Sequence, residues 1–430
     1  MGPDFQKRNI DAIVGARLVD PAIGLDEVAN LFIENGMIFE IGARRPDPGQ
    51  RIYNASGLFL SPGFHDLHVH LREPGFEYKE DILSGSRAAA AGGFTKIYCM
   101  PNTRPAQDSL ETIRLVNSRA CEAALTNVSP VAAITRAISG SELTDLASFK
   151  KEGIEMISDD GRSVDDDGIM LRAMEIAKEL SLVISTHPEN TKITAGGAIN
   201  DGPVARQLNV KGIDREAENS VIRRDIELCR KSGARLHLGH VSTAEGMDYV
   251  RMAKREGIRV TCEVTPHHII LTEEDVLHLG ANGKMSPPLR TEADRLALID
   301  GILDGTVDAI ATDHAPHADF EKRDLVSAPF GVIGMESAFP VCMKLVSDDL
   351  LDLKRLLELF TSGPRRVMGR APAGLMVGMP AEFTIFDPSA RVVIDPERFH
   401  SKSRNCPFAG MESFGKIHAT CLSDTLIELN

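Results

Sequence analysis

The chain has 430 residues, 43% of them hydrophobic, which is enough for two or three domains or for one large barrel with an appendage. Its formal net charge of -14 and the lack of any basic run argue against nucleic acid or an anionic membrane surface as a partner. No apolar run is long enough to span a bilayer, and residues 1–8 carry no apolar signal core, so we expect a cytoplasmic protein. The seven cysteines form no C-x-x-C pair, which indicates reduced, structural thiols.

The two ends of the chain share a pattern of short strands. Residues 12–20 and 30–39 are predicted strands, and the Asn35-Gly36 dipeptide in the second is a strong hairpin signal. The tail from residue 375 returns to strands, of which 381–387 is the clearest. We therefore expect residues 1–60 and 373–430 to meet in one small β domain, with residues 61–372 as a separate catalytic unit.

Between the ends, apolar runs alternate with longer amphipathic segments. We predict strands at 63–72, 95–100, 128–134, 154–158, 182–186, 235–241, 259–264 and 307–312. We predict helices at 167–180, 217–232, 244–256 and 292–303. This alternation is the signature of a (β/α)8 barrel. The alternative, a doubly wound sheet, would carry a glycine-rich phosphate loop after its first strand, and no such loop occurs.

The predicted strand at 63–72 carries the most informative residues. It alternates apolar and polar side chains with a period of two, so His68 and His70 share one face and can grip one metal ion such as zinc. The alternative is an ordinary strand whose histidines face solvent. Arg72 adds a fixed cation on the same face, and a guanidinium beside a metal pair suggests a site for an anionic substrate.

Further polar residues follow the other predicted strands, where barrel enzymes collect their chemistry. The candidates at this rim are His68, His70, Asn102, Asp160, His187, His240 and Asp313. They fit a two-metal centre in which a carboxylate such as Asp160 bridges the ions and a shared water becomes the nucleophile. Asp313 could bind metal and also take the proton of that water, which suits hydrolysis of an amide.

Neighbouring polar residues have simpler interpretations. We interpret His65 and Asp66 as polar strand residues, with orientation of the metal ligands as the alternative. The acidic run 165–167 is expected to cap the next helix. For His267 and His268, a structural role and substrate contact both remain open.

These residues carry a family resemblance. The segment DLHVHLREPG at 66–75 resembles the opening motif of dihydroorotases, and ATDHAPH at 311–317, with Lys322 following, resembles their second motif. Both motifs are specific to dihydroorotases and close cyclic amidohydrolases, and the similarity runs from about residue 12 to residue 386. Further similar stretches lie at 100–103, 158–161, 239–243, 264–268 and 328–331.

The resemblance implies an amidohydrolase barrel with a flanking β-sandwich, and reversible closure of N-carbamoyl-L-aspartate to L-dihydroorotate in pyrimidine synthesis. It implies two zinc ions, one held by His68, His70 and Asp313 and the other by His187 and His240, with Asp160 bridging instead of a carboxylated lysine. Asp313 would also be the general base and acid. The implied substrate-binding residues are Arg72, Asn102, Ser286, His317 and the backbone of Phe330 and Gly331.

The sequence departs from the family pattern at two positions, and it leaves rival functions open. Pro188 stands where close relatives usually have cysteine, and Ser286 stands where they usually have a substrate-binding asparagine. One rival is a hydantoinase or allantoinase. Another is a non-catalytic subunit that scaffolds aspartate carbamoyltransferase, although no candidate ligand is missing. We expect a homo-oligomer, a dimer, and association with aspartate carbamoyltransferase remains an open alternative.

Overall fold

The computed structural model describes residues 5–429. Its strands, in chain order, are β1 (Gln6–Asn9), β2 (Ala12–Asp20), β3 (Leu25–Glu34), β4 (Met37–Gly42), β5 (Ile52–Asn54), β6 (Phe59–Pro62), β7 (Phe64–Val69), β8 (Phe94–Cys99), β9 (Asn127–Pro130), β10 (Met156–Ile157), β11 (Val183–Thr186), β12 (Ile199–Asn200), β13 (Gly212–Ile213), β14 (Arg235–Leu238), β15 (Val260–Val264), β16 (Ala309–Ile310), β17 (Glu382–Val393), β18 (Glu412–Leu422) and β19 (Thr425–Glu428).

The helices are α1 (Ile82–Ala91), α2 (Leu110–Ala123), α3 (Leu146–Lys151), α4 (Asp167–Glu179), α5 (Thr191–Thr194), α6 (Pro203–Leu208), α7 (Glu216–Ser232), α8 (Ala244–Arg255), α9 (Pro266–Ile270), α10 (Val276–Leu279), α11 (Glu292–Leu303), α12 (Ala338–Ser347), α13 (Leu353–Phe360) and α14 (Ser362–Val367). The four helices predicted from the sequence correspond to α4, α7, α8 and α11. No helix within residues 5–429 is long and apolar enough to cross a membrane.

The two ends of the chain form one sheet of nine strands. Its order is β1-β19-β18-β17-β6-β2-β3-β4, with β5 beside β2. The three C-terminal strands therefore lie between β1 and β6 of the N-terminal segment. Side chains from β2, β3, β17 and β18 share one hydrophobic cluster, which holds the sheet together. The hairpin signal is confirmed, because Asn35 and Gly36 join β3 to β4 with φ angles of 52° and 74°.

The central strands close into a barrel. One parallel sheet has the order β7-β8-β9 and another has the order β10-β11-β14-β15-β16. Parallel bridges between Ala132 and Ile157 and between Val69 and His314 join these two sheets at both edges. The predicted (β/α)8 barrel is therefore confirmed, and all eight predicted strands take part in it.

The barrel core fixes the direction of its first strand. Phe64 begins β7 and packs against Phe94, Phe339 and Phe360, all of them fully buried. Every residue of β7 is buried, as expected for a strand covered on both faces. With the apolar end of β7 held in this aromatic cluster, its histidine end lies at the opposite rim, where the other parallel strands also end.

The division into residues 1–60, 61–372 and 373–430 stays a prediction. β6 runs across the first proposed boundary and pairs with β17 of the terminal sheet. Between α14, which ends at Val367, and β17, which begins at Glu382, the described chain has no strand or helix. We propose that the second boundary lies in this connection.

Candidate metal and substrate site

The predicted rim residues converge on one cavity at the C-terminal ends of the barrel strands. Asp160 follows β10, His187 follows β11, His240 follows β14 and Asp313 follows β16. The cavity has a volume of about 180 Å³. Its walls include all six residues predicted to bind substrate: Arg72, Asn102, Ser286, His317, Phe330 and Gly331.

The first group of potential metal ligands is His68, His70 and Asp160. His68 Nε2 lies 3.0 Å from Asp160 Oδ1, and His70 Nε2 lies 3.4 Å from Asp160 Oδ2. All three side chains are buried, and their ligand atoms lie within 4.8 Å of one another. The shared face predicted for His68, in β7, and His70, just after it, is therefore present, and both rings lie against Asp160.

The second group is Asp160, His187 and His240, so the same carboxylate belongs to both. His187 Nδ1 lies 2.8 Å from His240 Nε2 and 3.6 Å from Asp160 Oδ1. These three side chains are also buried, with ligand atoms within 4.8 Å of one another. A carboxylate that belongs to both groups of potential ligands is the arrangement that a bridged two-metal centre requires.

Hydrogen bonds on the far sides of the rings show that a cation fits the first group. Carboxylate and amide oxygens can only accept, so the Nδ1–H of His68 donates to Glu263 (2.8 Å) and the Nδ1–H of His70 donates to Asn102 Oδ1 (2.8 Å). In the neutral rings, both Nε2 atoms then carry lone pairs. These lone pairs face the Asp160 carboxylate, and the buried His68 Nε2 and Asp160 Oδ1 have no hydrogen-bond partner within residues 5–429. A cation between these atoms removes the repulsion and satisfies them.

The same reasoning applies to the second group. The Nε2–H of His187 donates to Glu189 Oε2 at 2.9 Å, which leaves its Nδ1 lone pair facing His240 and Asp160. A carboxylate behind a histidine ligand fixes the tautomer and raises the basicity of the ring. Both groups therefore consist of donor atoms already oriented for metal binding.

Asp313 lies beside the first group and is tied to the strand that carries the histidines. Its Oδ1 is 3.2 Å from His70 Nε2 and 3.8 Å from His68 Nε2. Asp66 accepts hydrogen bonds from the His68 N–H and from the N–H and hydroxyl of Thr312. Asp66 thus joins β7 to the residue before Asp313. These contacts favour the alternative interpretation of Asp66, orientation of the ligands, over that of an ordinary polar strand residue.

The backbone is strained at three of these positions. Arg72, His240 and Asp313 have φ angles of 62°, 31° and 45°, a region that residues other than glycine rarely adopt. Such conformations persist only where surrounding contacts enforce them, and they concentrate at functional sites. The strain supports a functional role for all three residues.

The electrostatics of the site keep both aspartates ionised. Burial alone would raise the pKa of Asp160, but the neighbouring His68 and His187 hold it well below its usual value. Burial would likewise raise the pKa of Asp313, yet His70 and His68 hold it low when these rings carry the protons that a bound metal ion would displace. Both side chains are therefore carboxylates, the form that binds a metal ion.

Arg72 faces the cavity without an anionic partner. Its Nε donates to the carbonyl of Pro316 at 3.2 Å, and it forms no ion pair with a carboxylate in the described part of the chain. Burial lowers the pKa of Arg72, although Asp313 and Asp160 oppose this shift. A partly buried guanidinium with unused donors is suited to a carboxylate of a bound molecule.

The remaining wall residues differ in how they are held. The Nε2–H of His317 donates to the carbonyl of Phe330 at 2.8 Å, and its Nδ1 lies 3.3 Å from Lys79 Nζ. Ser286 lies between β15 and β16, and its hydroxyl makes no hydrogen bond within residues 5–429. Asn102, predicted to bind substrate, donates its Nδ2 to Asp160 Oδ2 at 3.4 Å and accepts from His70. In this structure Asn102 therefore contacts two of the potential metal ligands.

Two acidic residues of the site were not predicted. Glu263 accepts from His68 and from His237 Nε2, and Glu189 accepts from His187 and lines the cavity. The sequence offered one signal for each residue. Glu263 is a lone acid inside the apolar strand β15, and Glu189 lies two residues after the predicted ligand His187.

Among the weaker candidates, Asp166 and His268 have structural roles, and the contacts of His65 assign it no role. Asp166 caps α4 by accepting from the Ile169 N–H, as predicted for the acidic run. His268 is hydrogen-bonded to Thr265 and to the carbonyl of Pro287, which supports the structural alternative. His65 is buried without a hydrogen-bond partner within residues 5–429.

The fold and the site together define a class of protein. A (β/α)8 barrel with two potential metal-binding groups that share a carboxylate at its C-terminal rim is typical of metal-dependent amidohydrolases. Solved structures of that class have the same fold. L-hydantoinase from Arthrobacter aurescens superposes with a TM-score of 0.85 at 25% identity, covering 97% of this chain and 96% of that one. D-hydantoinase from Thermus sp. gives 0.84 at 23% identity, covering 96% and 94%.

The sequence comparisons are more specific. A family model described as dihydro-orotase-like matches residues 57–246. Dihydroorotase from Desulforapulum autotrophicum is 43% identical over 417 residues, covering 96% of this chain and 97% of that protein. Dihydroorotase from Aquifex aeolicus is 41% identical over 400 residues, covering 93% and 94%. The chain belongs to the dihydroorotase family.

Replacing the carboxylate behind His68 should weaken metal binding. We expect Glu263→Gln to raise the metal dissociation constant about 10–100-fold, because the ligand loses the partner that fixes its tautomer. The matched control is Glu155→Gln, which removes a carboxylate that is paired with Arg370 (2.7 Å) away from the cavity. Competition with a chelating dye measures the metal dissociation constant of each variant. An equal rise of this constant in Glu263→Gln and Glu155→Gln would contradict a specific role for Glu263.

Proposed function

We propose that this chain is a metal-dependent dihydroorotase that interconverts N-carbamoyl-L-aspartate and L-dihydroorotate, with two zinc ions in each subunit. The observation that carries the proposal is the sharing of buried Asp160 between two groups of imidazole ligands in a cavity that also contains an unpaired guanidinium. The four imidazoles and two carboxylates of this site suit zinc, which prefers nitrogen and oxygen donors of this kind. Membership of the dihydroorotase family supports the same activity.

The ligand recognised by the cavity should carry a carboxylate. Arg72 can offer two parallel N–H donors to it, the geometry in which guanidinium binds carboxylate most specifically. Ser286 offers one hydroxyl without a protein partner, which can reach the ring directly or through a water molecule. The Phe330 N–H also has no hydrogen-bond partner in residues 5–429, whereas the Gly331 N–H donates to Lys284 O at 3.0 Å. Phe330 is therefore the better candidate for a backbone contact.

The chemistry divides between the ions and the chain. When bound, the zinc ions would lower the pKa of a water molecule and polarise the ring carbonyl. Asp313 would accept a proton from the attacking water and return it to the ring nitrogen as the amide bond breaks. Its position beside His68 and His70 brings that carboxylate to the place where the proton is released. In the reverse direction, the same residue would take the proton from the carbamoyl nitrogen.

The rival functions have weaker support. The likeness to hydantoinases is one of fold, and the rings those enzymes are named for would leave Arg72 without a carboxylate partner. A non-catalytic scaffold has no need of six buried donor residues, four of them imidazoles. The cytoplasmic location, the dimer and the association with aspartate carbamoyltransferase stay predictions.

One assay tests the proposal directly. The purified protein is given dihydroorotate, hydantoin and allantoin, and its metal content is measured on the same sample. We expect dihydroorotate to have the highest kcat/KM, and we expect a strong chelator to abolish turnover until zinc is added back. Full activity in a metal-free sample, or faster turnover of hydantoin or allantoin, would contradict it.

Asp313→Asn should retain the fold but lower kcat by about 10²–10⁴, because an amide cannot accept the proton. The matched control is Asp308→Asn at the opposite end of β16, where the carboxylate pairs with Lys254 at 2.6 Å. Its kcat should stay near that of the wild type. Metal content is measured for both, and near-normal turnover by metal-loaded Asp313→Asn would place the base elsewhere.

Arg72→Lys should impair the recognition of a ring carboxylate while leaving metal content unchanged. Lysine keeps the charge but loses the planar fork, so kcat/KM for dihydroorotate should fall about tenfold to a hundredfold, as for one lost charge-assisted hydrogen bond of about 1.5–3 kcal/mol. Dihydrouracil, which lacks the carboxylate, is the comparison substrate. If both substrates lose equally, Arg72 does not bind that group.

Ser286→Asn tests whether the departure from the family pattern changes the substrate. If a water molecule bridges Ser286 to the ring, asparagine should change KM for dihydroorotate by less than about tenfold, or about 1.4 kcal/mol. Steady-state kinetics on both proteins give the answer. A rise from negligible to substantial dihydroorotate turnover would mean that the natural substrate is another ring.

A further inference from the structure

Lys322 is a partly buried lysine whose ammonium is surrounded by main-chain carbonyls. Its Nζ donates to the carbonyls of Lys284 (3.2 Å), Pro329 (3.0 Å) and Gly331 (2.9 Å). These bonds use all three donors of an ammonium. Lys322 forms no ion pair within residues 5–429, and the neighbouring Glu321 is instead paired with Lys79 at 2.9 Å.

The three carbonyls belong to two segments that form one wall of the cavity. One segment, 284–286, ends at Ser286, and the other, 329–331, contains Phe330 and Gly331. The only direct backbone bond between them described in residues 5–429 runs from the Gly331 N–H to Lys284 O, at 3.0 Å. Lys322 therefore supplies most of the hydrogen bonds that join these segments.

Neighbouring contacts connect this junction to the rest of the wall, and Asn405 Nδ2 also donates to Gly331 O at 3.1 Å. Gly331 has a φ of 123°, and a Cβ at this position would approach Ala315 Cβ to 2.6 Å, so the backbone passes very close to the strand-end segment. Lys284 Nζ lies 4.7 Å from the centre of the Phe330 ring, and Phe330 O accepts from His317. A shift of the 329–331 segment would thus move Phe330 and also release His317.

The chemistry of Lys322 suggests a role other than stability. Burial, together with the positive charge of Lys284, lowers the pKa of Lys322 to about 7, against the opposing charge of Glu321. A charge that is removed from water without a counter-ion costs free energy, and carbonyl dipoles return only part of it. An apolar side chain of the same length would fill the space more cheaply but could not join the two segments.

We propose that Lys322 is a positioning residue that holds the 284–286 and 329–331 segments at the spacing required by the substrate ring. The inference rests on the proposed function, because the ring is the molecule that this wall is expected to contact. Lys322 reaches neither the potential metal ligands nor the reacting atoms, so it acts on substrate binding and leaves the chemical step alone.

The test is Lys322→Met, which keeps the length of the side chain and removes its donors. We expect KM for dihydroorotate to rise about tenfold or more while kcat stays within about threefold, with unchanged metal content. The matched control is Lys254→Met, which removes a lysine that donates to the carbonyl of Thr306 (2.7 Å) at the other end of the barrel. A loss of stability without a change in KM is expected there.

Lys322→Gln keeps two N–H donors and should raise KM less than Lys322→Met, and it carries the test if the methionine variant does not fold. Hydrogen exchange in peptides covering 284–286 and 329–331, compared with β8, gives a readout that needs no turnover. We expect faster exchange in those peptides alone. The inference would be overturned if folded Lys322 variants had the KM and the hydrogen-exchange rates of the wild type. It would also be overturned if Lys254→Met raised KM as much as Lys322→Met does. An inactive wild-type protein would instead overturn the proposed function.

Discussion

The site depends on one buried carboxylate placed among four imidazole rings. Asp160 lies 3.0–3.6 Å from ring nitrogens of His68, His70 and His187, and His240 contacts His187. In a medium of low dielectric constant, such a cluster of lone pairs and negative charge is unstable unless a cation lies within it. A cation at this place accounts for two observations. His68, His70 and His187 each have a hydrogen-bond acceptor on the far side of the ring, and His240 Nδ1 is buried without a partner in residues 5–429.

The barrel supplies the rigidity that this cluster needs. Each ligand lies just after, or at the end of, a parallel strand, so hydrogen bonds between strands fix its position. Asp66 and Glu263 then connect neighbouring parts of the rim, the first to Thr312 beside Asp313 and the second to His68 and His237. Asp66 and Glu263 thus orient potential ligands from strands, whereas Asn102 and Glu189 do so from the loops after β8 and β11. The cavity-wall residues Ser286 and Phe330 also lie on loops. Potential metal ligands fixed by the strands, with cavity-wall residues on loops that can vary, fit a fold that this chain shares with the hydantoinases.

Much of the fold and the centre could be predicted from sequence, because the signals are local. Alternation in β7 placed His68 and His70 on one face, and the common end of parallel strands brought residues far apart in sequence to one rim. Glu263, Asn102 and Lys322 could not be assigned their contacts in this way. Glu263 lies 195 positions from His68 in the chain. The carbonyls around Lys322 come from segments on either side of β16. Such contacts depend on how loops pack after the barrel closes, which leaves no periodic trace in the sequence.

We propose that two cations share Asp160. Crystals grown with zinc and measured on both sides of the zinc absorption edge test this most directly. We expect two anomalous peaks in each subunit, one within bonding distance of His68 and His70 and the other of His187 and His240, with Asp160 contacting both. A single peak, or two peaks bridged by a modified lysine instead of Asp160, would contradict it.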